Sequence, residues 1–128
     1  MSIDFDQCRQ ICAALPLSEV DIKWGTAECH CVVGKMYAIF GTEGSVPPKL
    51  SIKVDTRRFL ELTEVPGITP APYLARHHWV TLTVDCQLPA DEIAALIRES
   101  FQLIAAKLPA KTRQAIASQS AMMETPST

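Results

Sequence analysis

Three groups of residues carry side chains capable of chemistry, and each also has a plain structural reading. Cys29-His30-Cys31 places two thiols and an imidazole in consecutive positions. A structural zinc needs four converging ligands, usually in paired clusters, and no second cysteine pair with that spacing follows. Small thiols packed as core residues explain the motif more simply, and Cys8 and Cys12, four apart, read the same way on a helix. His77-His78 precedes Trp79, but neighbours in sequence do not readily aim at one ion or act as a relay, so hydrogen bonding at the start of a strand is sufficient. No glycine-rich phosphate loop and no nucleophile elbow occurs in the chain. The acids cluster at helix starts, where capping explains them. No catalytic residue, metal ligand or cofactor is assigned, and the chain is expected not to be an enzyme.

The third group is cationic. Residues 31–60 hold five Lys or Arg against two acids, whereas residues 1–30 hold two against five. Lys35, Lys49, Lys53, Arg57 and Arg58 make that middle segment the net positive one, and Arg76 and Trp79 lie farther on. Cations beside an aromatic ring and hydroxyls can hold phosphates and stack on bases. These seven residues are the candidate nucleic-acid-binding set. Lysines on the wet face of a sheet also guard against edge aggregation, so a solvated face is the competing explanation.

The whole chain sets limits on that reading. It has 128 residues, 48% of them hydrophobic and 20% charged, and a net charge of -2. This fits one soluble domain with a sizeable core and excludes a generally basic polymer binder. Acids at Asp4 and Asp6 stand where a signal peptide would be positive, and no apolar run approaches the roughly 20 residues needed to cross a bilayer. Five cysteines are an odd set that suits a reducing compartment. The expected location is the cytoplasm, with no membrane partner.

The elements that must position the cations follow from periodicity. Asp4 and Gln7 match a capping box, and Phe5, Cys8, Ile11, Cys12 and Leu15 recur at helical spacing up to Pro16. Residues 20–24 read as a short strand, then 29–33 and 36–40 as a hairpin around Gly34-Lys35, with a loop over 41–48. In 49–54 and again in 79–84 alternation is strict. Leu50, Ile52, Val54, Val80, Leu82 and Val84 are expected inside, with Lys49, Lys53, Trp79, Thr81 and Thr83 facing out. Asp55 caps a short helix over 56–62, and 65–72 reads as a loop. Residues 90–106 are helical, with Pro89 in the first turn, and Pro109 starts a last helix to about Ala117. Trp24 and Tyr73 read as loop-packing aromatics. The domain is expected over 1–117, with 118–128 a disordered tail. The class is α+β in two layers, a mainly antiparallel sheet with helices on one face.

Trp24-Gly25, Gly34-Lys35-Met36-Tyr37-Ala38, Leu50 to Asp55, Pro70 to Arg76 and His78-Trp79-Val80, in this order and spacing, resemble the MmcQ/YjbR family. The resemblance runs from the first helix to Leu108-Pro109. It implies a CyaY-like fold and a double-wing DNA-binding motif, and it brings no catalytic residues. A frataxin-like topology raises the question of iron, but the first helix offers only Asp4 and Asp6, not an acidic ridge, and fold does not fix function. The expected function is a noncatalytic binding domain, with DNA held by a basic sheet face and hairpin wings. The alternative is a protein-interaction or small-molecule-binding module.

Overall fold

The structure, a computed structural model, describes residues 4–23, 27–41, 49–71 and 74–123. Helix α1 (Phe5–Ala13) leads into strands β1 (Ser18–Lys23), β2 (Ala27–Val32), β3 (Lys35–Gly41) and β4 (Lys49–Lys53). A 3-10 turn (Thr56–Arg58) and helix α2 (Phe59–Thr63) follow, then β5 (Ile68–Pro70), a second 3-10 turn (Ala75–His77), β6 (Trp79–Thr83), α3 (Ala90–Ala105) and α4 (Ala110–Met123). All strand pairs are antiparallel and the order is β1-β2-β3-β4-β6-β5. This is the expected two-layer α+β class.

Local chemistry sets the boundaries of these elements. Asp4 accepts a hydrogen bond from the Gln7 N–H at 3.0 Å and so caps α1. Asp55 does the same for the Arg57 N–H at 2.8 Å. The β2–β3 hairpin turns on Val33 and Gly34, one residue earlier than the spacing implied, and both have positive φ as a two-residue hairpin requires. Glycine is comfortable there. Valine, at φ 48, is not, and the turn stores backbone strain at Val33.

The core lies between the sheet and α1 and α3. Phe40, Leu50, Ile52, Val80 and Leu82 from the sheet meet Ile93, Leu96, Ile97 and Phe101 from α3, with Cys8 and Cys12 of α1 at one side. At roughly 2 kcal/mol for each large apolar side chain removed from water, this cluster is the main source of stability. All five cysteines are buried as free thiols.

Tyr37 breaks the regularity of the sheet. His30 pairs with Ala38 and Cys31 with Met36, so Tyr37 is an extra residue, a bulge that turns both Tyr37 and Ala38 inward. Its ring meets Phe101 edge-on at 5.2 Å, and its hydroxyl donates to the Cys12 carbonyl at 3.1 Å while lying 2.5 Å from Ser18 Oγ. Beyond the last β3–β4 pair, Ala38 with Ile52, the Ser100 hydroxyl of α3 takes the place of the ladder. It accepts from the Lys53 N–H at 3.0 Å and donates to the Tyr37 carbonyl at 2.6 Å, and Ser100 is fully buried.

Several expectations need correction. Residues 65–72 are not all loop, because Ile68–Pro70 pairs with β6 as a sixth strand. Its shortness and its proline hid it, and a proline is tolerated at a sheet edge, where the missing N–H has no partner to lose. Val84 is half-buried, since it lies just past the end of β6. Helix α4 continues through Ser118 to Met123. Trp24, Tyr73 and the loop 42–48 lie outside the described residues, as do residues 124–128.

Candidate nucleic-acid interface

Strands β4 and β6 are direct neighbours, as a shared outer face requires. Lys49 stands opposite Thr83, Ser51 opposite Thr81, and Lys53 opposite Trp79. Side chains on this face point away from the helices, but the face is less wet than alternation alone implies. Trp79 is 5% exposed and Thr81 4%. Thr81 is hydrogen-bonded to Ser51, Oγ1 to Oγ at 2.9 Å.

Trp79 is enclosed because the chain folds back beside it. The Ala71 N–H donates to the Trp79 carbonyl at 3.0 Å, and the Trp79 N–H donates to the Leu74 carbonyl at 3.3 Å. Strand β5 flanks β6 on its far side, so β6 is an interior strand. The expectation of Trp79 as an exposed stacking platform is therefore overturned, as is that of an exposed Thr81. Lys53 is half-buried: its Nζ donates to the His77 carbonyl at 2.6 Å and caps the 3-10 turn Ala75–His77. Burial lowers the Lys53 pKa, and the nearby positive charge of Lys107 lowers it further.

The cations gather by position along the strands. In the antiparallel sheet the start of β3, the end of β4 and the start of β6 share one end. Lys35 opens β3, Lys53 closes β4, Arg57 and Arg58 follow in the 3-10 turn, and Arg76 lies in the turn before β6. Lys107, just after α3, is close enough to act on Lys53. Lys49 stands apart, four residues and roughly 13 Å away at the other end of β4.

Carboxylates hold two of these arms. Arg57 Nε lies 3.3 Å from Asp55 Oδ1, and Arg58 Nε lies 3.0 Å from Glu61 Oε1. Hydrogen bonds from Arg57 keep the Asp55 carboxyl below its ordinary pKa. Such exposed pairs contribute little to stability and are easily exchanged for another anion. An arriving phosphate competes with a carboxylate for a fork of N–H donors that is already positioned. The two histidines diverge. His78, at φ 65, approaches Thr56 Oγ1 through Nδ1 at 3.3 Å and meets Phe59 edge-on, whereas His77 is exposed.

One polar cluster was not visible from the sequence. On the helix-facing side of β2, His30 Nε2 lies 2.8 Å from Glu28 Oε2, and Glu28 accepts from Arg9 Nε of α1 at 3.1 Å. Arg9 also stands over the Phe40 ring at 4.9 Å, and His30 meets the same ring edge-on. His30 Nδ1 is buried without a hydrogen-bond partner. The cluster fastens α1 to the sheet. Alternation pairs Glu28 with His30 and Cys29 with Cys31, but only the packing decides which pair lies under a helix.

Among the described residues no three His, Cys, Asp or Glu side chains converge as a metal site, and no helix is long and apolar enough to cross a membrane. The chain is similar in structure to a Deinococcus radiodurans protein, DR2400, with the domain DUF419. The TM-score is 0.78 and the identity 30%, over 91% of this chain and 89% of that one. A crystal structure of a Pseudomonas syringae protein matches with a TM-score of 0.66 and 24% identity over 80% of this chain and 99% of that one, a likeness of fold. A solution structure from the same organism matches at 0.53 and 26%, over 80% and 88%. No protein of curated function matches the chain. The profile of the YjbR family covers residues 13–103, most of the fold from the end of α1 into α3, and the chain belongs to that family.

Proposed function

We propose that this chain is a noncatalytic nucleic-acid-binding domain that uses the basic end of its sheet. The observation that carries this reading is the convergence of Lys35, Lys53, Arg57, Arg58, Arg76 and Lys107 on one end of the fold. Lys35 opens β3 directly after the β2–β3 turn, the hairpin end that a wing contact would use. Binding is favoured over catalysis because the Glu28 carboxylate is engaged by Arg9 and His30 Nε2, and the Ser51 and Thr81 hydroxyls bond each other. Trp79 takes no part in stacking. Contacts are then mainly to phosphates, which position a duplex without reading its sequence. With a net charge of -2 the affinity is modest and strongly salt-dependent.

Fluorescence anisotropy with a labelled duplex of about 20 base pairs, titrated from roughly 50 to 200 mM salt, tests the proposal. The double variant Arg57→Glu/Arg76→Glu is expected to bind about tenfold or more weakly, with a log–log salt slope shallower by about 2. Lys49→Glu, at the other end of β4, leaves both nearly unchanged. Absence of binding by the unaltered protein at the lowest salt, or equal binding by the double variant, overturns the proposal.

A further inference from the structure

Strand β1 is an edge: it pairs with β2 on one side and no described strand lies on the other. It runs six residues, Ser18–Lys23, without proline or glycine. Natural edges of this length are normally shortened, bulged or covered, because a free row of N–H and C=O groups invites another strand. Val20 (53% exposed) and Ile22 (57%) are the most exposed large apolar residues among the described strand residues, and both lie on this edge. They oppose His30 and Glu28 of β2, so they stand on the helix-facing side of the sheet.

The order of residues along this edge is complementary to itself. Glu19-Val20-Asp21-Ile22-Lys23 reads acid, apolar, acid, apolar, base. Facing residues of an antiparallel pair share a face, so a two-fold pairing of β1 with a second β1 must centre on a residue. Within Ser18–Lys23, two registers bring five residues of each strand face to face, one centred on Val20 and one on Asp21. The Val20 register sets Glu19 opposite Asp21 twice. The Asp21 register sets Glu19 opposite Lys23 twice and Val20 opposite Ile22 twice.

Opposite charges and apolar residues that face each other across two strands stabilise the pair, and like charges destabilise it. In the Asp21 register four of the five facing pairs are complementary, and the fifth sets Asp21 against its own copy on the axis. Asp21 is exposed, where water and salt screen that repulsion, and it already has a partner within its own chain, so the pairing asks no new bond of it. Val20 and Ile22 of both copies then meet at the seam on the helix-facing side, which takes the most exposed apolar residues of the sheet out of water. The Val20 register has two like-charge pairs and no opposite-charge pair to offset them.

We propose that β1 is the interface for a second copy of this chain, paired antiparallel about Asp21 so that two sheets join edge to edge. Both copies use the same strand, so the contact is isologous and closes at two. None of the six cations at the basic end of the sheet takes part, so this reading and the nucleic-acid reading stand or fall separately.

Sedimentation equilibrium of the full chain from about 10 μM to 1 mM, a range suited to a small interface, tests the pairing. A concentration-dependent dimer is expected, with hydrogen exchange slowed at β1 amides as it forms. Glu19→Lys and Lys23→Glu each turn both charged pairs into like pairs and should weaken the dimer about tenfold or more. Mixed in equal amounts, the two variants should recover it, since each supplies the charge the other lacks. Val20→Thr/Ile22→Thr keeps strand propensity and a folded thermal melt while weakening the dimer several-fold. A chain that stays monomeric throughout this range overturns the proposal. So does a dimer that ignores the single reversals, is not recovered by mixing them, or protects amides elsewhere than β1.

Discussion

Replacing Ser100 by alanine removes one oxygen from a fully buried position between α3, β3 and β4. That oxygen is partner to two backbone groups, the Lys53 N–H at 3.0 Å and the Tyr37 carbonyl at 2.6 Å. The bulge at Tyr37 ends the direct ladder between these strands at Ala38 and Ile52, so neither group has a strand partner to return to. A buried polar group left unsatisfied costs about 1–3 kcal/mol. Two such groups, partly relieved by local movement, should cost about 2–4 kcal/mol. For a domain of this size each kcal/mol lowers Tm by about 4 °C, so a drop of roughly 8–16 °C is expected. Urea unfolding should show the midpoint falling with little change in slope, since the surface exposed on unfolding is the same. Ser51→Ala serves as control. It strands one group, the Thr81 hydroxyl, instead of two, beside a half-buried residue, and should cost about 1 kcal/mol, clearly less than Ser100→Ala. A Ser100→Ala loss below about 0.5 kcal/mol would refute the reasoning, because β3 and β4 would then be able to close the gap unaided.

Gly67→Ala should destabilise far more than a helix-surface change. At φ 90 the added Cβ would lie 2.4 Å from both Cα and N of Cys86, and that backbone cannot retreat while the Thr83 N–H bonds the Gly67 carbonyl. A loss of about 3 kcal/mol or failure to fold is expected, and a near-normal melt would contradict the close approach. Alkaline pH should also weaken the fold. Burial pushes the Cys8 thiol up to about 11 and the Cys12 thiol up to about 12, from 9.0. Because these folded values are raised, the stabilisation is whole below pH 9.0 and is lost as pH climbs toward 11 and 12. By pH 10 the loss is about 1.4 kcal/mol per thiol, near 3 kcal/mol together. Lys53, with a lowered folded pKa, trims this loss slightly, since its strain is relieved as it deprotonates below 10.5. Urea melts at about pH 8 and pH 10 measure the difference, and equal stability would contradict the burial of the thiols.

Much of this architecture was legible because alternation and capping are local signals. Leu50, Ile52, Val54, Val80 and Leu82 are buried where their spacing placed them, and Asp4 and Asp55 cap the elements they precede. Trp79 shows the limit. Alternation gives the side to which a residue points, but its exposure depends on whether the strand is interior and on what returns beside it. Here β5 and the segment at Ala71 and Leu74 decided that, and a three-residue strand ending in proline leaves almost no periodic trace. Five of the six candidate cations meet at one end of the sheet because antiparallel pairing makes a strand's start the neighbour of another's finish. Lys49 and Lys53 share a strand and a face, yet they separate for the same reason. Glu28 and His30 do not stand out as a pair, since a polar pair beneath a helix looks, in sequence, like any polar pair on a wet face.

The two borders of the sheet have unequal consequences for assembly. At one border β5 offers three residues ending in Pro70, and at the other β1 offers six without proline. Open-ended stacking of sheets requires each unit to present both a donor and an acceptor margin, as a heterologous contact does. A unit with a single receptive margin can take on one guest strand and then stop. Pro70 acts as a chain terminator, and whatever joins β1 forms a finite complex instead of the first layer of a fibre.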